Sequence, residues 1–295
     1  MSLSTNKRRK ILARLGADVQ DMETLLTYTS NTFAYQPAQN ASDFLLRWTA
    51  FINISKEKGV AYAINKHLVK NNLQIDFEMP DSIHLEIYDS FAGKIPIITT
   101  SNDKDFESIV QYIVFKGKTY PHIKIIGAQY VHNKNNSFII LSHKPYSNIP
   151  ADVMGLDIAS WREKSYVIRK HHEYTHFYTN QYYGSSKNNL HDELIADFCG
   201  IWAAFSHYRA DYFIKFLSQG RLKIYVDSLS SNGAVLVEKL AYVCAKWLEE
   251  WTKSTGFANL YEIERINFLC EKELLSFVHH DFTKFPFKSH RSCSF

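Results

Sequence analysis

The sequence predicts an α+β protein in which a small mixed β-sheet is followed by a mainly helical half. Three observations carry that prediction: helical spacing of apolar residues in the first seventy positions, strand-like runs crowded between residues 83 and 142, and long apolar helical faces from Ala151 onward. No internal repeat or low-complexity tract interrupts this order.

Ile11, Leu12 and Leu15 make one helical face, and Phe44, Leu45, Trp48 and Phe51 make another. Gly59 is placed to separate two helices. After Pro80 the period changes to two. Ile83-His84-Leu85-Glu86-Ile87-Tyr88 alternates, and Ile95-Pro96-Ile97-Ile98-Thr99-Thr100 follows a turn at Gly93, so both read as strands. Asp103 is positioned to cap a helix reaching Phe115, after which Ile123-Lys124-Ile125-Ile126 and Ser137-Phe138-Ile139-Ile140-Leu141 read as two further strands. Helices are expected over 160–183, 190–205, 235–251 and 260–277. The chain therefore divides into a first part, 1–150, with N-terminal helices and the sheet, and a mainly helical second part, 151–295.

Hydrophobic residues at 45% and charged residues at 22% exclude a disordered or fibrous chain. A net charge of +4 is too small an excess to point to nucleic acid, and the basic run Lys7-Arg8-Arg9-Lys10 reads as a solvated helix face. The cysteines at 199, 244, 270 and 293 lie far apart, with no C-x-x-C pair, which fits reduced thiols rather than a disulfide framework. The first thirty residues lack the apolar core of a signal peptide, and no stretch is apolar for long enough to span a bilayer. A cytoplasmic protein without nucleic-acid or membrane partners is the expectation.

One pentapeptide carries chemistry. In His172-Glu173-Tyr174-Thr175-His176 the histidines lie four apart, so on a helix both imidazoles project from one face toward a single ion. Glu173 is offset by one position, near a metal-bound water rather than on the metal, which is where a general base is needed. A catalytic zinc usually takes three protein ligands, and the third is sought in Asn188-Asn189-Leu190-His191-Asp192-Glu193-Leu194-Ile195-Ala196-Asp197-Phe198. Asn opens this helix, and Glu193 and Asp197 share a face. Glu193 can complete the metal site while Asp197 orients a ligand histidine through its other ring N–H. Asp192 is an alternative ligand beside Glu193, and His171 is expected either to support a ligand from behind or to be structural. Tyr182, Tyr183, His279 and His280 are candidate donors to a developing oxyanion.

The pattern His172-Glu173-x-x-His176 followed by Glu193-x-x-x-Asp197 resembles the gluzincin branch of zinc peptidases, which includes thermolysin. The metzincin pattern is excluded, because Thr179 and Tyr182 stand where that branch needs Gly and then His or Asp. The resemblance implies Zn²⁺ bound by His172, His176 and Glu193, water activation by Glu173, support of a histidine by Asp197, and a peptide or protein as substrate. A catalytically silent zinc-binding regulatory or interaction protein is the alternative.

Overall fold

The computed structural model describes residues 3–36, 42–70, 72–133, 136–184 and 189–278. Helices α1 (Thr5–Leu15), α2 (Met22–Tyr28), α3 (Ser42–Lys58) and α4 (Val60–His67) precede a hairpin of β1 (Ile83–Ser90) and β2 (Gly93–Thr100). Gly59 stands immediately before α4, as its position between two apolar faces predicts. Helix α5 (Asp103–Ile113) leads to a second hairpin, β3 (Ala128–Asn133) and β4 (Asn136–Ser142). The residue that caps α5 is Asn102, whose side chain accepts from Asp105 N, so the helix begins, rather than is capped, at Asp103.

The two hairpins join through parallel pairing of β2 with β4, giving a four-stranded sheet of order β1-β2-β4-β3. The fold is α+β, with a small mixed sheet. One predicted strand is displaced: Ile123–Ile125 is a 3-10 turn, and the strand begins at Ala128. β3 has one neighbour and is only half-buried, so it needs no apolar run; of the isoleucines that looked like a strand, Ile125 and Ile126 line a surface cleft and Ile123 packs against the smaller core.

Side chains alternate across the sheet and divide the interior in two. Ile95, Ile97, Ile139 and Leu141 face a large core shared with the C-terminal helices, whereas Ile98, Phe138 and Ile140 face a smaller core with Phe44, Trp48, Ile64 and Phe106. The large core also takes in Ile11, Leu12, Leu25 and Leu26, so α1 and α2 pack with the helical half. Of the basic N-terminal run, Lys7, Arg9 and Lys10 are exposed, Arg9 pairing with exposed Glu23, while Arg8 turns inward, donates to Leu26 O and Ser30 Oγ and pairs with Glu273.

The helical half comprises α6 (Ile158–Tyr183), α7 (Leu190–Phe205), α8 (Ala210–Ser218), α9 (Arg221–Val226), α10 (Ser231–Trp251), α11 (Thr255–Ala258) and α12 (Glu262–Cys270), then a 3-10 turn at Leu274–Val278. The helix expected over 260–277 is thus broken after Cys270. α10 begins earlier than its apolar pattern, because Ser230 caps it by accepting from Gly233 N at 2.9 Å. α8 and α9 fill a stretch where no helix was expected, held by buried Tyr212, Phe213, Phe216 and Tyr225. Cys199, Cys244 and Cys270 are free and buried; Cys293 lies outside the described residues. No helix among the described residues is long and apolar enough to cross a membrane.

Candidate metal centre

The centre is built on two neighbouring helices whose starts are set by side-chain caps. Asp157 caps α6, its carboxylate accepting from Ser160 N at 2.9 Å, and Gly184 ends the helix in the left-handed conformation at φ 60°. Asn189 caps α7 by accepting from Asp192 N at 3.1 Å, which places Asp192 and Glu193 in the first turn, where the helix dipole favours negative charge. Residues 185–188 of the intervening link lie outside the described residues.

Close approach of α6 and α7 depends on Gly200. A Cβ there would stand 2.6 Å from the carbonyl oxygen of Ile168, a backbone atom that cannot swing aside. Gly200 follows Glu193 and Asp197 at helical spacing, so this close contact between the helices lies on the face that carries the carboxylates.

The helices bring His172, His176 and Glu193 together, all buried, with one ligand atom from each within 4.8 Å of the others. The two Nε2 atoms are 3.0 Å apart, and the Glu193 carboxylate lies 3.5 Å from His172 Nε2 and 3.6 Å from His176 Nε2. A tetrahedral zinc with bonds of about 2.0–2.1 Å needs ligand atoms about 3.3–3.4 Å apart; the two Nε2 atoms are near that spacing, whereas the carboxylate distances are to different oxygens, Oε2 facing His172 and Oε1 facing His176.

Hydrogen bonding supports the same fit. His172 Nδ1 is 2.8 Å from Asp197 Oδ1, so its ring N–H donates there and Nε2 keeps its lone pair. His176 Nδ1 faces Asp192 Oδ1 at 3.6 Å, too far for a hydrogen bond, and that nitrogen and both Asp192 oxygens have no hydrogen-bond partner among the described residues. With each Nδ1 turned to a carboxylate, two Nε2 lone pairs confront each other. That arrangement needs a proton or a cation between them. Asp192 therefore faces His176 as Asp197 faces His172, each carboxylate set against an Nδ1.

The electrostatics also call for positive charge. Burial pushes the carboxyls of Glu173 and Asp192 up, partly offset by the histidines. Burial opposes ionisation of Glu193 and Asp197 as well, but His172, His176 and Arg221 outweigh it at Glu193, and Arg221, His172 and Tyr146 do so at Asp197, holding both below the ordinary range. Burial likewise opposes charging of His176, yet Asp192, Glu193 and Glu173 push it up to about 10.

Three further residues shape the centre, and none stood out in the sequence. Arg221, at the start of α9, donates to Glu193 Oε2 at 2.9 Å and to Asp197 Oδ2 at 3.0 Å. Tyr225, one turn later, donates to Glu193 Oε2 at 2.8 Å. Tyr146 donates to Asp197 Oδ1 from a turn after β4 that contains Ser147 in the left-handed region at φ 50°. Buried Arg169 holds this turn through the carbonyls of Lys144 and Pro145. These residues come from outside both motifs, so no local spacing could reveal them.

Glu173 is buried and lines the same cleft as Tyr130 of β3. His171 points elsewhere, stacking on Phe91 and facing Glu262 at 3.2 Å, which is a structural role. Tyr183 donates to Asn267 and, like Tyr182, does not line the cleft; His279 and His280 lie outside the described residues. The cleft has a volume of about 470 Å³ and is bordered by Gly127, Ala128, Gln129 and Tyr130 at the edge of the sheet.

No curated protein and no solved structure matches the chain. A family model described as a family of unknown function, DUF7005, matches residues 64–137 and 132–281. The two segments run from α4 through the sheet to the end of the helical half and contain every residue of the centre. The chain belongs to this family of unknown function, DUF7005.

Proposed function

We propose that this protein is a zinc-dependent hydrolase that cleaves an amide bond, with a peptide as substrate. The observation that carries the reading is the joining of His172, His176 and Glu193, each histidine facing its own carboxylate, in a cleft that Glu173 also lines. The edge strand β3 along one side of the cleft supports an extended polypeptide as occupant.

His172, His176 and Glu193 would hold the ion. Bound zinc supplies a Lewis acid and lowers the pKa of a coordinated water to about 7. Glu173 accepts the proton of the attacking water at its carboxylate and then delivers it to the leaving nitrogen. Its burial, which raises its proton affinity, suits a carboxyl that must hold a proton between those steps. Asp197 and Asp192 orient the rings, and Arg221 and Tyr225 fix the Glu193 carboxylate through Oε2.

Metal analysis combined with a peptide-library digest tests the reading. Wild-type protein and Glu173→Gln should each hold about one zinc, and only wild type should cleave, with a difference of about 10²-fold or more. Zinc in both with cleavage by neither would favour a zinc-binding protein without turnover. Failure to take up zinc would end both.

A further inference from the structure

Arg169 of α6 is only 3% exposed, yet no carboxylate among the described residues forms an ion pair with it. The other buried lysine or arginine among those residues is Lys144, and it pairs with Glu107 at 2.6 Å. Buried charges are ordinarily paired in this way. Arg169 instead meets carbonyl oxygens, donating from Nη1 to Lys144 O and from Nη2 to Pro145 O at 2.8 Å, while Glu173 and Asp103 act on it only from beyond ion-pair distance. Burial lowers its pKa to about 10, so it is charged at neutral pH.

This charge borders the cleft. Arg169 and Arg221 are the arginines that line it, and no lysine does. Both guanidiniums lie beside Tyr146, 5.6 Å and 5.4 Å from its ring centroid. Arg221 is engaged by Glu193 and Asp197, whereas Arg169 keeps N–H donors beyond the two that hold the turn. Gly127, also on the cleft, faces the edge formed by Nε and Nη2. A Cβ there would stand 2.5 Å from Nε and 2.6 Å from Nη2 and would cover that edge. Gly127 is not in the left-handed region, so space rather than backbone conformation is what a side chain would take away.

We propose that the Nε–Nη2 edge of Arg169 binds a carboxylate of the substrate, carried at a peptide C-terminus or on an acidic side chain. This rests on the cleft being a peptide-hydrolase site, and it names the substrate class of that site. Two carboxylate oxygens match two parallel N–H groups of a guanidinium, and the carboxylate supplies the countercharge that Arg169 lacks.

The test uses the full chain loaded with zinc and carrying Glu173→Gln, so that binding is measured without turnover. Fluorescein-labelled alanine pentapeptides are titrated by fluorescence anisotropy in three forms: C-terminal acid, C-terminal amide, and amide with a central glutamate. At least one carboxylate-bearing form is expected to bind about tenfold or more tightly than the plain amide, and which one does so identifies the source of the carboxylate. Adding Arg169→Lys, which keeps the charge but removes the fork, or Gly127→Ala, which covers it, should bring that ratio below about threefold while zinc content and binding of the plain amide stay unchanged. Equal binding of the three forms, binding of none, or equal weakening of all three by Arg169→Lys overturns the proposal. So does a preference unmoved by both substitutions, which is what direct attachment of the carboxylate to zinc would give. A carboxylate preference lost in the variants, without cleavage by wild type, removes the hydrolase reading and leaves the subsite. Cleavage by wild type with no carboxylate preference does the reverse.

Discussion

At the scale of single residues, the centre is a balance between buried carboxylates and the few cations that face them. Arg221 spans two of those carboxylates, Glu193 and Asp197, and both are buried. Removing it in Arg221→Met should cost about 3–5 kcal/mol in urea unfolding of the metal-free protein, because two buried charges lose a partner. A loss below about 1 kcal/mol would show that solvent or rearrangement satisfies them. Arg221→Lys should recover only part of it, since one ammonium cannot reproduce a planar fork between two acceptors. On the zinc reading, Asp197→Ala should weaken zinc affinity about 10- to 100-fold in a chelator competition, by releasing the His172 ring. Unchanged affinity would mean that the ring is held by Tyr146 alone, whose hydroxyl lies 3.1 Å from His172 Nδ1.

At the scale of elements, the site depends on how closely α6 and α7 approach. Gly200→Ala gives a prediction of definite sign. In an exposed helix this change stabilises by about 0.8–1 kcal/mol through propensity. Here the new Cβ would meet Ile168 O at 2.6 Å, so a net loss of about 1–3 kcal/mol in thermal unfolding is expected, with weaker zinc uptake as the helices separate. A stabilised Gly200→Ala protein would contradict this account of the contact. Asn189→Ala removes the cap of α7 and should cost about 1 kcal/mol without touching a ligand. The strand error belongs to this scale too. Ile123-Lys124-Ile125-Ile126 resembles a strand in local composition, but the sheet edge is completed by Ala128–Asn133, whose half-buried residues need only backbone pairing with β4.

At the scale of the whole molecule, the sheet separates two cores, and the large one carries the centre on the side away from α3, α4 and α5. Ile11 and Leu12 of α1 lie in that same core with Leu240 and Leu275, so the chain closes on itself. If zinc binds the folded state alone, its removal should lower stability by mass action. At free zinc one hundred times the dissociation constant the difference is about 2.7 kcal/mol. A calorimetric scan with and without chelator should show this as a lower melting temperature, restored by zinc. His176→Ala should melt at the same temperature under both conditions. A chelator effect of equal size in that variant would place the stabilising ion elsewhere.

The sequence by itself determined the fold class and pointed to His172, His176 and Glu193, which the structure gathers into one buried group. Both rest on short-range periodicity: the period of two in β1 and β2 and the four-residue spacings His172/His176 and Glu193/Asp197 put the relevant side chains on one face whatever the tertiary arrangement. Only the tertiary structure decided what surrounds them. Asp192 turns to His176 because α7 runs beside α6, Arg221 and Tyr225 arrive from a six-residue helix that sequence periodicity did not predict, and Tyr146 is delivered by a left-handed turn that Arg169 clamps. These contacts join residues far apart in the chain. Their geometry follows from packing, including the approach of α6 and α7 permitted by Gly200, and packing leaves no local pattern from which they could be read.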